Sequence, residues 1–413
     1  MLGVYTRDFY RAFSAGGWMS GLAQNPELAT IFLLAQPQRR EETYQQLVQY
    51  VQVGLNWQRF LRQVEVLRYA AWCGHQFAGY GLEKAIPADV LAYIRDQYVW
   101  NAYRGKVLLN AANAVTDTLK SAGLDVLWLK GIAAASLCYG DIRLRPMMDV
   151  DLLIREDQIH LAHDLLINAG WGYAGAPRDV WHYRSYQIHT YNHAYQRVVP
   201  VDSGMERVWV ELHWRPASQR LVPQLPPDAF WDAVGVAKDT QHMETLSPEN
   251  FLIHLCIHQA KSNFRAHLSR LDLALLVDQY VMDWDQVARK AEKWGLQRMV
   301  TAALTDVQVV FGSKIPPIDQ SARLSLGVRY LQQQGRKATY TLLDRFDITP
   351  YQLLFLERWS DRFRFLGSVL FYPNSHDLKR WALSPSTQIL YMIIKPVRLC
   401  VTLFVRIFSF VFR

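Results

Sequence analysis

The sequence has few cysteines, and their positions exclude several kinds of site. Only four occur in 413 residues, and no two of them form a Cys-x-x-Cys pair. They are Cys73, Cys138, Cys256 and Cys400. This wide spacing argues against a structural zinc site and against a disulfide framework, and it fits a reducing compartment.

Long apolar runs are also missing. The first residues contain no extended apolar segment of a secretory signal, which predicts a cytoplasmic protein. The strongest apolar stretch, residues 399–412, would form a helix of about 21 Å, shorter than the roughly 30 Å hydrocarbon core of a bilayer. Arg406 stands in its middle. We therefore predict that the C-terminal tail does not span a membrane.

The tail nevertheless has a distinct charge, because residues 395–413 contain four cations and no acid. The cations are Lys395, Arg398, Arg406 and Arg413. Such a segment suits an anionic lipid surface, and it equally suits a helix docked on the protein with its cations at the rim. The sequence predicts a peripheral membrane contact or docking, and it leaves the choice open.

The overall composition is that of a folded protein without an acidic excess. Half of the residues are apolar, and the formal net charge is +8. A chain of this length suits two or three domains. The positive charge is compatible with phosphate-rich substrates or an anionic membrane and identifies neither.

Apolar periodicity divides the chain into four regions. Helical spacing predicts an N-terminal helical region over residues 1–100. A strand–helix–strand–helix–strand order follows over residues 101–215, with strands at 126–129, 149–154 and 208–214. Residues 216–318 are predicted to form a helical domain, and residues 319–413 a C-terminal helical region with the basic apolar tail.

Two aspartates two residues apart are the most informative local feature. Side chains alternate faces along a strand, so Asp149 and Asp151 point the same way while Val150 and Leu152 point into a core. Paired carboxylates with apolar backing suit Mg²⁺, which prefers oxygen ligands. The alternative is an exposed strand edge on which the two acids are merely solvated.

A third acid occurs in a later apolar strand. Alternation places Trp209, Glu211 and His213 on one face of the segment 208–214. A carboxylate in such surroundings needs a metal, a cation or an edge position. Glu211 is therefore a candidate base or metal ligand, with a strand-end ion pair as the alternative.

Several motifs together resemble a known family. They are Leu129-Lys130-Gly131, Tyr139-Gly140, Leu144-Arg145-Pro146, Asp149-Val150-Asp151 and Glu211-Leu212-His213-Trp214. Their order is similar to that of the uncharacterised bacterial nucleotidyltransferases, a family of the polymerase β-type superfamily, over residues 100–315. The resemblance implies an α+β core, with a mixed sheet and helices, between two helical regions. It also implies two Mg²⁺ ions held by Asp149, Asp151 and Glu211.

The resemblance also implies a site for the nucleoside triphosphate (NTP). Gly131 would let phosphate approach a helix N-terminus, and Lys130, Arg143 and Arg145 would neutralise its charge. Arg145 has an ion pair with one of the two aspartates as its alternative role. The superfamily's usual Gly-Ser or Gly-Gly pair is Gly131-Ile132 here, so the serine hydroxyl is missing and Lys130 is its candidate substitute.

Two histidines lie four residues apart on a predicted helix, and packing is the favoured role for them. His254 and His258 have metal-ligand spacing, but no Glu follows His254 as in a zinc-protease motif. The resembling family has a histidine near His258, which makes that residue a candidate for lining the NTP pocket. Asp272 likewise matches an acid of that family, with a helix N-terminal position or an ion pair as the alternative role.

The predicted function is Mg²⁺-dependent transfer of a nucleoside monophosphate from ATP or another NTP, with release of pyrophosphate. The acceptor would be a hydroxyl or phosphate of a small molecule, a protein or tRNA. The alternative is a non-catalytic nucleotide-binding or scaffold protein that keeps the fold. The basic tail also suggests a membrane-surface component of a surface-polymer or peptide-modification pathway.

Overall fold

The structure is a computed structural model that describes most of the chain. The described residues are 25–182, 184–202, 204–232, 234–236, 243–316, 350–373, 377–378, 383 and 385–411. The first part of the predicted C-terminal helical region therefore lies outside them.

Within these residues, seven strands form one mixed sheet in the order β3-β4-β5-β2-β1-β7-β6. They are β1 (Val126–Trp128), β2 (Val150–Ile154), β3 (Gly172–Tyr173), β4 (Asn192–Val201), β5 (Gly204–His213), β6 (Val234–Val236) and β7 (Glu244–Leu246). β2 pairs parallel with β5, and β1 pairs parallel with β7, while the other neighbours are antiparallel. The expected α+β fold with a mixed sheet is confirmed.

Helices surround this sheet. They are α1 (Pro26–Leu34), α2 (Glu41–Val53), α3 (Trp57–Leu67), α4 (Ala70–Gly79), α5 (Ala88–Lys120), α6 (Lys130–Ala134), α7 (Ile159–Asn168), α8 (Arg184–His189), α9 (Pro248–Lys261), α10 (His267–Gln279), α11 (Trp284–Trp294), α12 (Gln297–Phe311), α13 (Trp359–Phe371) and α14 (Tyr391–Val411). Their ends follow local rules. The Asn25 and Ser247 side chains cap α1 and α9, each followed by proline, and Gly295 ends α11 at φ 66°.

The longest described helix crosses a predicted region boundary. It is α5, which continues past residue 100, where the N-terminal helical region was predicted to end, as far as Lys120. Gly105 lies inside it, where an added Cβ would be 2.9 Å from Ile142 Cγ1. The glycine thus allows a close approach of the segment that leads to the two aspartates, and it does not end the helix.

One buried apolar core extends across several of the predicted regions. Buried apolar side chains from α1, α3, α4, α5, the central sheet and α9 to α12 form one continuous cluster. The sheet also continues past residue 215, because β6 and β7 lie in the segment that we expected to be helical. These strands are three residues long, too short to show an alternating pattern in the sequence.

The C-terminal helix α14 contacts the protein through its first half. Lys395 is buried, and its Nζ donates a 2.6 Å hydrogen bond to the Tyr372 carbonyl. Arg398 forms a 3.0 Å ion pair with Asp377. Two of the four tail cations therefore have protein partners, while the side chains of Arg406 and Arg413 lie outside the described part. None of the described helices is both long and apolar enough to span a bilayer.

Candidate active site

Asp151 and Glu211 lie side by side because their strands are parallel neighbours. The register of β2 and β5 pairs these two residues directly, and paired residues of adjacent strands point to the same face. His213 follows Glu211 two residues later on that face. Ligand atoms of Asp151, Glu211 and His213 all lie within 4.8 Å of one another. We call these three residues the carboxylate–histidine cluster.

Asp151 is the buried centre of this cluster. Its Oδ1 accepts a 2.8 Å hydrogen bond from Lys130 Nζ and lies 2.9 Å from His213 Nε2. Burial alone would raise the pKa of Asp151, but Lys130 and His213 hold this pKa well below its usual range. Burial likewise opposes the charge of Lys130, and Asp151 raises the pKa of the ammonium. Both groups are therefore charged at neutral pH.

Glu211 is more open than Asp151 and shares its partner. Its Oε2 lies 3.2 Å from His213 Nε2, and it accepts a 2.8 Å hydrogen bond from Asn192 Nδ2. The hydrogen bond from His213 lowers the pKa of Glu211, against the effect of partial burial. Its side chain keeps 34% of its surface exposed. Glu211 is therefore ionised at neutral pH and reachable from solvent.

Asp149 immediately precedes β2 and experiences a different environment. Burial raises its pKa to about 6, and the negative charges of Asp151 and Glu211 add to the shift. Among the described residues, the tight set of possible ligands contains His213 and not Asp149. The structure thus brings Asp151 and Glu211 together, with Asp149 near enough to be repelled by both.

His213 is the residue that sequence reasoning did not assign to the site. Strand alternation did place it on the same face as Glu211. Its bridging position between Glu211 and Asp151 depends on the pairing of β2 with β5, two strands that are distant in sequence. No local pattern contains that register.

A cavity of about 370 Å³ opens beside the two aspartates. Its wall contains Asp149, Asp151 and four of the five residues predicted to form the NTP site, namely Lys130, Gly131, Arg145 and His258. The wall is completed by residues 66–68 at the end of α3, by Pro146, Met147 and Met148 just before β2, and by residues 265–269 at the start of α10. Glu211 is not part of this wall.

The helix N-terminus predicted at Gly131 is irregular. Lys130 has φ 31°, Gly131 has φ 0° and ψ −95°, and regular α-helix ends at Ala134. A π-helical turn, Ala135–Tyr139, continues it. Such a short element does not provide a regular helix N-terminus for phosphate. The close backbone approach predicted for Gly131 stays a prediction.

The two predicted arginines have different partners from those expected. Arg143 binds Asp141 at 2.8 Å, and its guanidinium lies 4.9 Å from the Tyr98 ring centre, outside the cavity wall. Arg145 pairs with Asp272 and with neither Asp149 nor Asp151.

The pair between Arg145 and Asp272 is buried and bidentate. Arg145 Nε and Nη2 donate to the two Asp272 oxygens at 2.9 and 2.7 Å. The Tyr139 hydroxyl donates to the same carboxylate at 2.8 Å. Burial works against the charge of Arg145, but Asp272 raises the pKa of its guanidinium. The pair joins α10 to the segment that carries Asp149, so it holds the site in position.

The two helix histidines are neutral at physiological pH. Burial holds the pKa of both His254 and His258 well below the usual range, and nearby Lys130 adds to the effect. His258 contributes to the cavity wall, whereas His254 is buried without a hydrogen-bond partner among the described residues. Neither belongs to the set of possible metal ligands found in that part of the chain.

Comparison with known proteins gives two findings. The family described as uncharacterised nucleotidyltransferase matches residues 54–312. An antigenic nucleotidyltransferase-like protein from Paracoccidioides brasiliensis has a similar solved structure, with 18% identity over 52% of this chain and 94% of that chain, at a TM-score of 0.34. No curated protein matches the chain.

Proposed function

Because the chain belongs to the family of uncharacterised nucleotidyltransferases, we propose that it transfers a nucleoside monophosphate from an NTP to a hydroxyl or phosphate acceptor. The acceptor oxygen would form a bond to the α-phosphorus, and the bond to the β-phosphate would break to release pyrophosphate. The observation that supports this proposal is the carboxylate–histidine cluster beside a cavity lined by cations. The acceptor is a small molecule, a protein or tRNA.

The donor set of the cluster fits a divalent cation. Asp151, Glu211 and His213 each offer one ligand atom, and these atoms lie within 4.8 Å of one another, close to the span that an ion with bonds of ~2.1 Å can bridge. We propose Mg²⁺ with Asp149, Asp151 and Glu211 as ligands, and His213 as an additional donor. When bound, Mg²⁺ would stabilise charge on the attacking and leaving oxygens.

The protein's own groups have separable roles in this proposal. Lys130 and His213 hold Asp151 ionised and fixed in orientation. The Arg145–Asp272 pair fixes the segment that precedes β2.

The direct test is label transfer. Purified protein would be incubated with Mg²⁺, a cell extract and each of the four NTPs labelled at the α-phosphate. We expect label to appear in an acceptor together with pyrophosphate. NTP labelled at the γ-phosphate should give no labelled acceptor. Absence of pyrophosphate with every NTP would contradict the proposal.

A second candidate function is nucleotide binding without transfer. Two observations favour it: Lys130 and His213 already occupy Asp151 Oδ1, and Ile132 replaces the serine of the usual phosphate-binding pair. Saturable ATP binding with no pyrophosphate release in the presence of extract would support this candidate over transfer.

We also propose that α13 and α14 contact an anionic membrane surface. Three exposed apolar side chains, Ile393, Val397 and Val401, are spaced four residues apart on α14, and each has more than half of its surface exposed. Trp359 and Phe363 of α13 are exposed in the same manner. Exposed cations such as Arg364, close to Phe363, complement anionic lipid.

A further inference from the structure

The cations of the cavity wall differ in what they already bind. Lys130 is paired with Asp151, and Arg145 is paired with Asp272, so most of their charge is compensated within the protein. Arg68 also belongs to the wall, and it makes no ion pair with any residue in the described part of the chain. Its charge is therefore available to a ligand.

Arg68 stands where a helix end usually has glycine. It caps α3 in the left-handed conformation, with φ 63° and ψ 33°, which is unfavourable for a residue with a Cβ. The bonds that end the helix, Arg68 N to Glu65 O and Tyr69 N to Val64 O, use only backbone atoms. Glycine would therefore form the same cap with less strain, so the helix end does not explain the arginine.

The electrostatic surroundings of position 68 give a better reason for an arginine there. Partial desolvation, and after it the nearby Arg145, lower the pKa of Arg68, while Asp149 and Asp272 act in the opposite direction. The guanidinium is thus within electrostatic reach of a second arginine, of Asp149 and of Asp272. Two neighbouring guanidinium groups repel each other unless an anion lies between or beside them.

Arg265 also reaches this cavity, from a strained loop. Arg265 follows Asn263 and Phe264, which have φ values of 51° and 59°. The loop is fixed, because Phe264 N donates to Gln259 O and Arg270 Nη2 donates to Phe264 O, both at 2.8 Å.

The strain around this cavity is concentrated. In the described part of the chain, every non-glycine residue with positive φ either lines the cavity or lies within the two positions before Arg265. Strained backbone that the surrounding structure holds in place is typical of a prepared binding site.

We propose that Arg68 and Arg265 bind the terminal phosphates of the NTP, opposite Asp149 and Asp151. This inference rests on the proposed function and gives the N-terminal helical region a direct part in substrate binding. Arginine suits the role because its planar donors match phosphate oxygens. The volume of about 370 Å³ is at the lower end for small-molecule pockets, which fits a polyphosphate tail. These arginines would supply contacts that Ile132 cannot make.

The test compares Arg68→Gly, Arg68→Lys and Arg265→Ala with the wild-type protein. Arg95→Ala is the matched control, since Arg95 is an exposed arginine of α5 outside the cavity wall. Binding of inorganic tripolyphosphate, ATP and AMP would be measured by calorimetry with Mg²⁺ present, and thermal unfolding would be measured in parallel.

We expect Arg68→Gly to weaken tripolyphosphate and ATP binding at least about tenfold, as lost charge-assisted hydrogen bonds should. AMP binding should stay within about twofold, and Arg68→Lys should retain part of the affinity. The unfolding temperature of Arg68→Gly should equal or exceed that of wild type, because glycine relieves the left-handed backbone. Arg265→Ala should weaken the same two ligands, and Arg95→Ala should bind all three normally.

Two results would overturn the inference. One is a wild-type protein that does not bind tripolyphosphate. The other is an Arg68→Gly variant that binds tripolyphosphate as tightly as wild type does, or whose affinity for AMP falls by the same factor as its affinity for ATP. The proposed function fails separately: if Arg68 is needed for tripolyphosphate binding but no NTP ever yields pyrophosphate, the binding site stands and the transfer reaction does not.

Discussion

Asp149→Asn should stabilise the metal-free protein while abolishing transfer. In the folded chain, burial and the charges of Asp151 and Glu211 raise the pKa of Asp149 from 3.8 to about 6. The folded state therefore disfavours the ionised carboxylate, and asparagine removes that unfavourable charge. Loss of one carboxylate from the site should nevertheless reduce transfer by orders of magnitude.

The size and pH dependence of this effect follow from the shift. A shift of about two units corresponds to about 3 kcal/mol, and partial exposure of Asp149 makes about 2 kcal/mol a more realistic gain. Because the pKa of Asp149 is higher in the folded state, this carboxyl does not affect folding stability at a pH below its unfolded-state pKa. It lowers the folding stability as the pH rises through about 6. The stability of the variant should therefore equal that of wild type near pH 4 and exceed it by the full amount near pH 8.

Thermal and urea unfolding of both proteins in EDTA, at several pH values between 4 and 8, would measure the difference. In a chain of 413 residues a gain of this size corresponds to a rise in unfolding temperature of roughly 2 °C. Adding saturating Mg²⁺ should stabilise wild type by about 3 kcal/mol at a hundredfold excess over Kd, and the variant by less. Mg²⁺ should thus reduce the stability advantage of the variant over wild type, or reverse it.

Two results would refute this reasoning. If Asp149→Asn were less stable than wild type in EDTA at pH 8, the carboxylate would be making a favourable contact and not suffering repulsion. If the stability difference did not change between pH 4 and pH 8, the raised pKa would not be its cause. Unchanged transfer by the variant would reject a catalytic role for Asp149.

Three further predictions concern ion-paired residues and the C-terminal tail. Asp151→Asn should destabilise the protein by about 3 kcal/mol or more in urea unfolding at pH 7, because Lys130 loses a buried partner; a stabilised variant would contradict the pairing. Asp272→Ala should cost roughly 3–5 kcal/mol by leaving Arg145 buried and unpaired, whereas Arg143→Ala, at an exposed site, should change stability by less than about 1 kcal/mol. Deletion of residues 397–413 should cause aggregation if the tail is needed as a docked helix, while a soluble, active product that no longer sediments with anionic liposomes would support the membrane contact. Extraction of the intact protein by detergent alone, and never by salt, would contradict both tail predictions.

The sequence alone determined the local elements of this protein. Helix caps at Asn25 and Ser247, the glycine end of α11 and the apolar alternation around Asp151 depend on residues within a few positions of one another. Helix-capping preferences and apolar periodicity predict such features directly. The family was also determined at this level, because its motifs are short and occur in a fixed order.

Only the tertiary structure decided which charges meet. Glu211 lies beside Asp151 because β2 and β5 pair in parallel, and His213 bridges them for the same reason. Arg145 pairs with Asp272 across 127 positions of sequence, and Arg68 reaches the cavity from a helix that precedes the sheet. Such partners depend on register and packing between distant segments, and the cost of burying an unpaired charge then selects among them. A local pattern can show that a charge needs a partner, but only the fold brings the partner to it.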